Sequence, residues 1–361
     1  MKDYAYLVLQ NERVFKGERF GAQGEISAEL VFTTAMVGYI ETLTDPSYHG
    51  QIVLQTFPIM GNYGIIPADF ESEKPALTGY IVNDLCDNPS NFRCEGTLDD
   101  FLQKNGVVGL KGVDTREITE LIRECGVMNA SIVSEEPKNL KAFCDGLKKR
   151  SLASSVYAVS AKAPYVVNEN GKNTVVLWDF GHKDAMLNEL VCRGCRVCVM
   201  PAASSAKEIL SLKPDGVLLS NGPGDPAVYT DIIENVAAVV KSGVPTLGIC
   251  LGHQLLALAM GGKTEKLKYG HRGANIPVTE IDNGALFITS QNHGYAVSVL
   301  PKNSKQSFVN LNDGTNEGIE YLKLPAFSVQ FHPEAHGGPL DTEFLFGRLI
   351  EMMEEKTNAV K

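Results

Sequence analysis

Between residues 174 and 260 the chain alternates short apolar runs with longer amphipathic ones: TVVLWDF, DAMLNELVC, RVCVM, SSAKEILSL, DGVLLS, TDIIENVAAVVKSG, PTLGIC and HQLLALAMGG. The short continuous runs read as strands buried on both faces, and the segments between them carry helical spacing. Strands that alternate with helices in this way pair parallel, with helices on both faces of the sheet. Such a sheet places its site outside the carboxyl ends of its strands. Lys183, Gly222 and Cys250 each come shortly after a predicted strand, so all three are expected along one edge.

The remainder of the chain reads differently. Residues 1 to about 105 hold short β-branched and aromatic runs broken by Gly, Pro, Asn and Asp, which predicts short strands. A helix is expected over DTREITELIRECG, with Asp114 capping, Glu117 three residues on, a face of Ile118, Leu121, Ile122 and Cys125, and Gly126 ending it. From Ser151 to Asn173 helical periodicity is lost and small and turn residues collect, so the domain boundary falls there: a first domain over 1–150, a linker over 151–172 and a second domain over 173–361. After about residue 264 the pattern is strand-rich again, closing with AFSVQFHPEA and a last helix near DTEFLFGRLIEMMEE. At 361 residues two domains are the natural division.

A formal charge of −10 without a long Lys/Arg block disfavours nucleic acid and anionic lipid as partners. No apolar run approaches the roughly 18 residues of a membrane span, and the N-terminal MKDYAYLVLQNERVF reads as a strand rather than a secretory signal. A cytoplasmic address is therefore expected, with the eight cysteines as reduced thiols.

GICLGHQLL places Cys250 between Gly248 and Gly252, after a strand and before a helix. This is the frame of a nucleophile elbow with Cys in place of Ser. The glycines remove Cβ atoms from a tight turn, and the first N–H groups of the helix favour a thiolate whose ordinary pKa is about 8.5. The Leu251 N–H is a candidate oxyanion donor. A small buried structural cysteine is the alternative reading of the same letters. A nucleophile needs a base, and His332 follows the apolar FSVQF run, held extended by Pro333, with Glu334 two residues on to orient the ring. His253 is a weaker candidate, because it falls inside the helix.

SNGPGDP, from Ser220 to Pro226, lacks the frame of a phosphate loop and carries Asp225. Its better use is to present backbone N–H groups to an oxyanion, with Gly222 and Gly224 allowing close approach; a plain turn is the alternative. GGKT at 261–264 ends like a nucleotide-binding motif but has Ala257 where the first glycine belongs. Cys192, Cys195 and Cys198 lack a fourth ligand and straddle a helix end and a strand, so no metal site is expected.

Taken together, GICLGHQLLALA, SNGPGDPA, SQNHGYAV and VQFHPEA resemble a class I (Cys-His-Glu) glutamine amidotransferase domain. ELVFTTAMVGYIETLTDPSYHGQIVLQTFPIMGN and VDTREITELIRECG resemble the N-terminal domain that accompanies it in the small-subunit family of glutamine-dependent carbamoyl-phosphate synthetases. The resemblance covers nearly the whole chain. It implies an α/β fold: a C-terminal amidotransferase domain with a mostly parallel sheet flanked by helices, preceded by a smaller strand-rich α+β domain. By matched position it implies Cys250 as nucleophile, His332 as proton shuttle and Glu334 as its orienting partner. It implies oxyanion donors at Gly224 and Leu251, glutamine-holding positions at Ser47, Gly222, Gln254, Asn292, Gly294 and Tyr295, and a supporting Lys183. One departure is AHGGP after Glu334, where the family pattern is ASPGP, which makes His336 unusual.

The implied chemistry is hydrolysis of L-glutamine through a thioester, with ammonia passed to a separate large synthetase subunit that makes carbamoyl phosphate for pyrimidine and arginine synthesis. No cofactor is expected in this chain, with ATP and Mg confined to the large subunit. Two other readings stand beside this one: a stand-alone cysteine hydrolase such as a γ-glutamyl hydrolase, and a catalytically silent subunit that only binds the synthetase.

Overall fold

The computed structural model describes residues 3–150 and 155–360. The chain divides into two compact units, Met1–Ser154 and Ser155–Lys361.

In the first unit seven strands close into a barrel: β1 (Tyr4–Leu9), β2 (Val14–Gly21), β3 (Ile26–Thr33), β4 (Gln51–Gln55), β6 (Gly79–Ile81), β8 (Val108–Lys111) and β9 (Met128–Val133), with the short strands β5 (Ile59–Met60) and β7 (Asp84–Leu85) paired beside it. The order around the barrel is β1-β2-β8-β6-β4-β3-β9, and β3, β4, β6 and β8 run parallel to their neighbours in that series. Four helices belong to this unit: α1 (Tyr39–Thr44), α2 (Leu98–Lys104), α3 (Thr115–Cys125) and α4 (Leu140–Lys149). Closure leaves no unpaired barrel edge. The expected cap of α3 is present, with the Asp114 side chain accepting from the Glu117 N–H at 2.9 Å and Gly126 at φ 89. Its buried row is Thr115, Ile118 and Ile122; Cys125, expected on that face, is exposed in the last turn.

The second unit is built on one ten-stranded sheet. Its strands are β10 (Tyr165–Val167), β11 (Asn173–Asp179), β12 (Cys195–Pro201), β13 (Gly216–Leu219), β14 (Thr246–Ile249), β15 (Lys263–Glu280), β16 (Leu286–Val299), β17 (Ser304–Asn310), β18 (Asn316–Tyr321) and β19 (Ala326–Val329), in the order β10-β12-β11-β13-β14-β19-β18-β17-β15-β16. Five neighbouring strands, β12, β11, β13, β14 and β19, are parallel, as the alternation of strand and helix requires. The expectation of a mostly parallel sheet needs correcting beyond them: β15 to β18 extend the sheet with antiparallel pairs. Hairpin-length turns, not helices, join those strands, and a turn that short cannot connect parallel neighbours.

The helices are α5 (Val156–Val159), α6 (Asp184–Cys192), α7 (Ala206–Ser211), α8 (Thr230–Lys241), α9 (Leu251–Ala259) and α10 (Phe344–Val360). Alternation along β11 divides them between two faces. Val176 and Trp178 pack in a core with Ile209 of α7, Val236 and Val240 of α8, and Leu255 of α9. Val175 and Leu177 pack on the other side with Met186 and Leu190 of α6 and with Phe346 and Leu349 of α10. Helix–sheet–helix layering of this kind buries a parallel sheet on both faces.

The stretch expected to be a linker is largely part of the second unit. Residues 151–154 lie outside the described residues, but α5 and β10 follow directly, and β10 pairs with β12. Small and polar residues in this stretch are used as hydrogen-bonding points: Ser160 Oγ accepts from the Ala202 N–H at 2.9 Å. Among the described residues no helix is long and apolar enough to cross a membrane.

Candidate active site

The carboxyl ends of β11, β13, β14 and β19 lead into Lys183, the Ser220–Pro226 loop, Cys250 and His332. Cys250 is the N-cap of α9 and has φ 53 and ψ −104, a backbone conformation that a residue with a Cβ rarely adopts. The neighbouring glycines show why the turn is tight. A Cβ on Gly252 would stand 2.2 Å from the Leu219 carbonyl oxygen, and one on Gly248 would stand 2.7 Å from that of Gly252. Backbone bonds then fix the elbow: the Cys250 N–H donates to Val329 O at 2.9 Å and the Gly252 N–H to Ser220 O at 3.0 Å. The thiol is 2% exposed and its Sγ lies 3.6 Å from the Asn292 carbonyl oxygen.

His332 is carried past the end of β19, its N–H donating to Ser290 O at 2.9 Å. Its Nδ1 is 2.7 Å from Glu334 Oε1, and the same oxygen accepts from Lys183 Nζ at 3.0 Å. All three side chains are buried. Burial by itself would lower the proton affinity of the ring, but the Glu334 carboxylate and the nearby Cys250 thiol outweigh it, holding His332 well above the ordinary imidazole value. For Glu334 burial favours the neutral acid, and the Lys183 ammonium and His332 reverse this, keeping the carboxyl ionised below its usual range. His332 Nε2 is buried and, among the described residues, has no partner other than the nearby Cys250 thiol, which leaves it facing the nucleophile and a reacting group.

Backbone geometry also shapes the Ser220–Pro226 loop. A Cβ on Gly222 would meet Phe180 O at 2.4 Å, and Gly224 has φ 96. Asp225 caps a short turn by accepting from the Ala227 N–H, which explains an acidic residue in a loop with no phosphate role. On the far side, Gln254 is nearly buried and donates from Nε2 to Tyr295 O at 2.8 Å and to Gln330 Oε1 at 3.0 Å. Its amide nitrogen is thereby committed to the protein. Asn292, Gly294 and Tyr295 lie together on β16, and a Cβ on Gly294 would come within 3.3 Å of Arg272.

Of the sequence-expected residues, the structure thus brings Cys250, Leu251, Gln254, His332, Glu334, Lys183, Asn292 and Tyr295 into one linked set, with Gly222, Gly224 and Gly294 on the adjoining backbone. Ser47 lies in the first unit, in the short turn Pro46–Tyr48, where its N–H donates to Asp45 Oδ1 at 2.9 Å. His253 is fully buried, its Nδ1 2.8 Å from Ser328 Oγ, and burial pushes its pKa down to about 3, so it stays neutral and packs. GGKT opens β15 rather than a helix, which removes any helix N-terminus for a phosphate. In the AHGGP turn, His336 is exposed and Gly337 has φ 81, a value closed to the proline that the resemblance would place there.

Two residues that sequence reasoning missed hold the site loops. Asp179 accepts from the N–H groups of Gly181 (2.9 Å) and His182 (2.8 Å), fixing the turn that delivers Lys183, and its other oxygen accepts from the Ala161 N–H at 2.6 Å. Tyr229 Oη accepts from the Val156 N–H and donates to the Pro223 carbonyl, each at 3.3 Å. Asp179 ends a strand and could have been read as a turn-former; Tyr229 carries no signal in the sequence.

Residues 176–352 match the family described as glutamine amidotransferase class-I, and residues 7–132 match the carbamoyl-phosphate synthase small chain, CPSase domain. The chain is 47% identical over 347 residues to the carbamoyl phosphate synthase small chain of Clostridium perfringens, covering 96% of this chain and 99% of that one. It is 48% identical over 350 residues to the pyrimidine-specific small chain of Bacillus subtilis, with coverage of 96% and 95%.

Proposed function

We propose, for a chain that belongs to the carbamoyl-phosphate synthase small-chain family and carries a class I glutamine amidotransferase domain, that it hydrolyses L-glutamine through Cys250 and supplies the ammonia to a separate large subunit. The observation that carries this reading is the strained, buried Cys250 elbow beside His332, whose ring is tied through Glu334 to Lys183.

The reaction follows from those positions. The Cys250 thiolate attacks the side-chain amide carbon of glutamine, and the developing oxyanion is met by the N–H groups of Leu251 and Gly224. The C–N bond breaks as His332 hands its proton to the leaving ammonia, giving a γ-glutamyl thioester. Water, deprotonated by His332, then cleaves the thioester to release L-glutamate and restore the thiol. Glu334 fixes the ring tautomer and stabilises the imidazolium, and Lys183 keeps Glu334 ionised without touching the substrate. Gly222, Gln254, Asn292, Gly294 and Tyr295 hold the glutamine. The ammonia is used by the ATP-dependent large subunit to make carbamoyl phosphate from bicarbonate, for pyrimidine and arginine synthesis, and ATP and Mg act there rather than in this chain.

The test is synthesis by the reconstituted complex with Cys250→Ser. Glutamine-supported synthesis should fall by at least about 1,000-fold while ammonia-supported synthesis persists. Retention of glutamine-supported synthesis would make the chain a silent binding subunit instead.

A further inference from the structure

We propose that His271, His293 and Glu317 bind one divalent transition-metal ion, with zinc as the cation that the donor set fits, and that this ion pins the strand beneath the Cys250 site. The three residues come from β15, β16 and β18, and His271 and His293 are direct partners in the β15–β16 ladder. One potential ligand atom from each lies within 4.8 Å of the others.

The hydrogen bonds around the two rings fix where their lone pairs point. His271 Nε2 is 2.8 Å from Asp313 Oδ2, an acceptor, so the ring proton belongs there; Nδ1 is left facing Glu317 Oε1 at 3.5 Å. His293 Nδ1 is 2.8 Å from the Tyr295 carbonyl, which can only accept, so Nε2 is left with a lone pair. That Nε2 lies 3.0 Å from Gln291 Oε1. The orientation of the Gln291 amide is set on its other side, because its Nε2 donates to Thr289 Oγ1, whose own proton goes to Ile276 O. Two acceptors therefore face each other at hydrogen-bond distance with no proton between them, and a cation resolves this where a hydrogen bond cannot.

Glu317 supplies an independent sign. It is fully buried, Asn310 Nδ2 donates to its Oε1 at 2.8 Å, and among the described residues its Oε2 makes no close hydrogen bond, the Gln291 amide and the His271 ring lending the carboxylate only part of the stabilisation its burial removes. Bonds of about 2.0 to 2.1 Å in a tetrahedral zinc site set ligand–ligand separations of roughly 3.3 Å, near the 3.5 Å between His271 Nδ1 and Glu317 Oε1. Asp313 on one imidazole and a carbonyl on the other are the outer partners that orient metal-bound histidines. Arg272, whose charge also acts on His293, donates from Nη1 to Tyr269 O at 2.7 Å. Asn310 Nδ2 also approaches His271 Nδ1, at 3.4 Å, and the ion would displace that long contact.

The ion would act by position. His293 lies between Asn292, whose carbonyl accepts from the Cys250 thiol, and Tyr295, whose carbonyl accepts from both His293 and Gln254. Its competitor is a proton on His271 shared between Glu317 and Asp313.

The experiment titrates zinc, and separately cobalt, into chelator-stripped full-length protein whose thiols have been alkylated, since the eight cysteines also take up zinc. The expected result is one ion per chain, a visible cobalt spectrum of a four-coordinate nitrogen–oxygen site, and a melting temperature that rises with zinc. The isosteric Glu317→Gln should weaken binding at least about 100-fold and abolish both signatures. Should Glu317→Gln not fold, His271→Gln, nearer the surface, gives the same readout. No stoichiometric binding to the alkylated chain, or binding that both variants leave intact, overturns the proposal in favour of the shared proton. Because occupancy is read without glutamine, the outcome is independent of the glutaminase reading.

Discussion

Lys183 Nζ and His332 Nδ1 converge on the same oxygen of Glu334, Oε1, at 3.0 and 2.7 Å. The carboxylate is thus held between two cations when His332 is protonated, and its ionisation depends on both. Because Lys183 keeps the Glu334 pKa down, removing it lets that pKa rise. Lys183→Met should therefore move the acidic limb of the kcat/KM profile for glutamine to higher pH and lower kcat about tenfold or more, with ammonia-dependent synthesis in the complex unchanged. The same pair contributes to folding: a depressed carboxylate pKa stabilises the fold above its unfolded value and stops doing so as pH falls through the folded one. The wild-type chain should lose this contribution only in strong acid, and a pH series of melting temperatures for the two proteins measures the difference.

The elbow has no room for a side chain at Gly252. A Cβ there would stand 2.2 Å from the backbone of Leu219, which cannot rotate away. Gly252→Ala should cost on the order of 1–3 kcal/mol of stability and displace Cys250, lowering the rate of thiol modification by a glutamine analogue more than tenfold. Melting and modification rates measured side by side check both effects.

Tyr229 ties the segment entering the second unit to the Ser220–Pro226 loop. Tyr229→Phe keeps the ring in the core and removes both hydrogen bonds. At about 0.5–1.5 kcal/mol per bond, kcat for glutamine should fall roughly 3- to 10-fold if the Pro223 carbonyl bond is what aligns Gly224, with little change in thermal stability beyond that amount. Steady-state kinetics beside a melting curve separates the two.

Gly347 lies inside α10 and a Cβ there would meet nothing within 4 Å. Gly347→Ala should stabilise the chain by about 0.5–1 kcal/mol, since glycine gives up more chain entropy in a helix. Denaturant titration reads the gain, and unaltered glutaminase activity is expected.

Much of the second unit could be read from local pattern. The alternation from Thr174 to Ala259 gave the parallel strands and their helices, because each element's burial is written in its own spacing. Cys250 and His332 were visible for the same reason, each sitting where a strand ends. The antiparallel extension was legible only as strand-rich, since pairing among β15 to β18 is set by long-range register. The seven-stranded barrel was likewise seen only as short strands, its closure depending on β1 meeting β9 across more than a hundred residues. Long-range convergence also hid the Lys183–Glu334 contact, 151 residues apart, although Lys183 itself was expected along the site edge because it follows a predicted strand. The cluster of His271, His293 and Glu317 escaped because its members are spaced by strand crossings, unlike the short intervals by which metal motifs are recognised.

The account's central claim is that Cys250 is an activated nucleophile in a glutamine pocket, and intact mass after exposure to a glutamine-mimicking electrophile tests it most directly. A single adduct that glutamine protects against, and that Cys250→Ala abolishes, is the predicted result. An unmodified chain, even with the large subunit present, or an adduct that survives in Cys250→Ala, would contradict it.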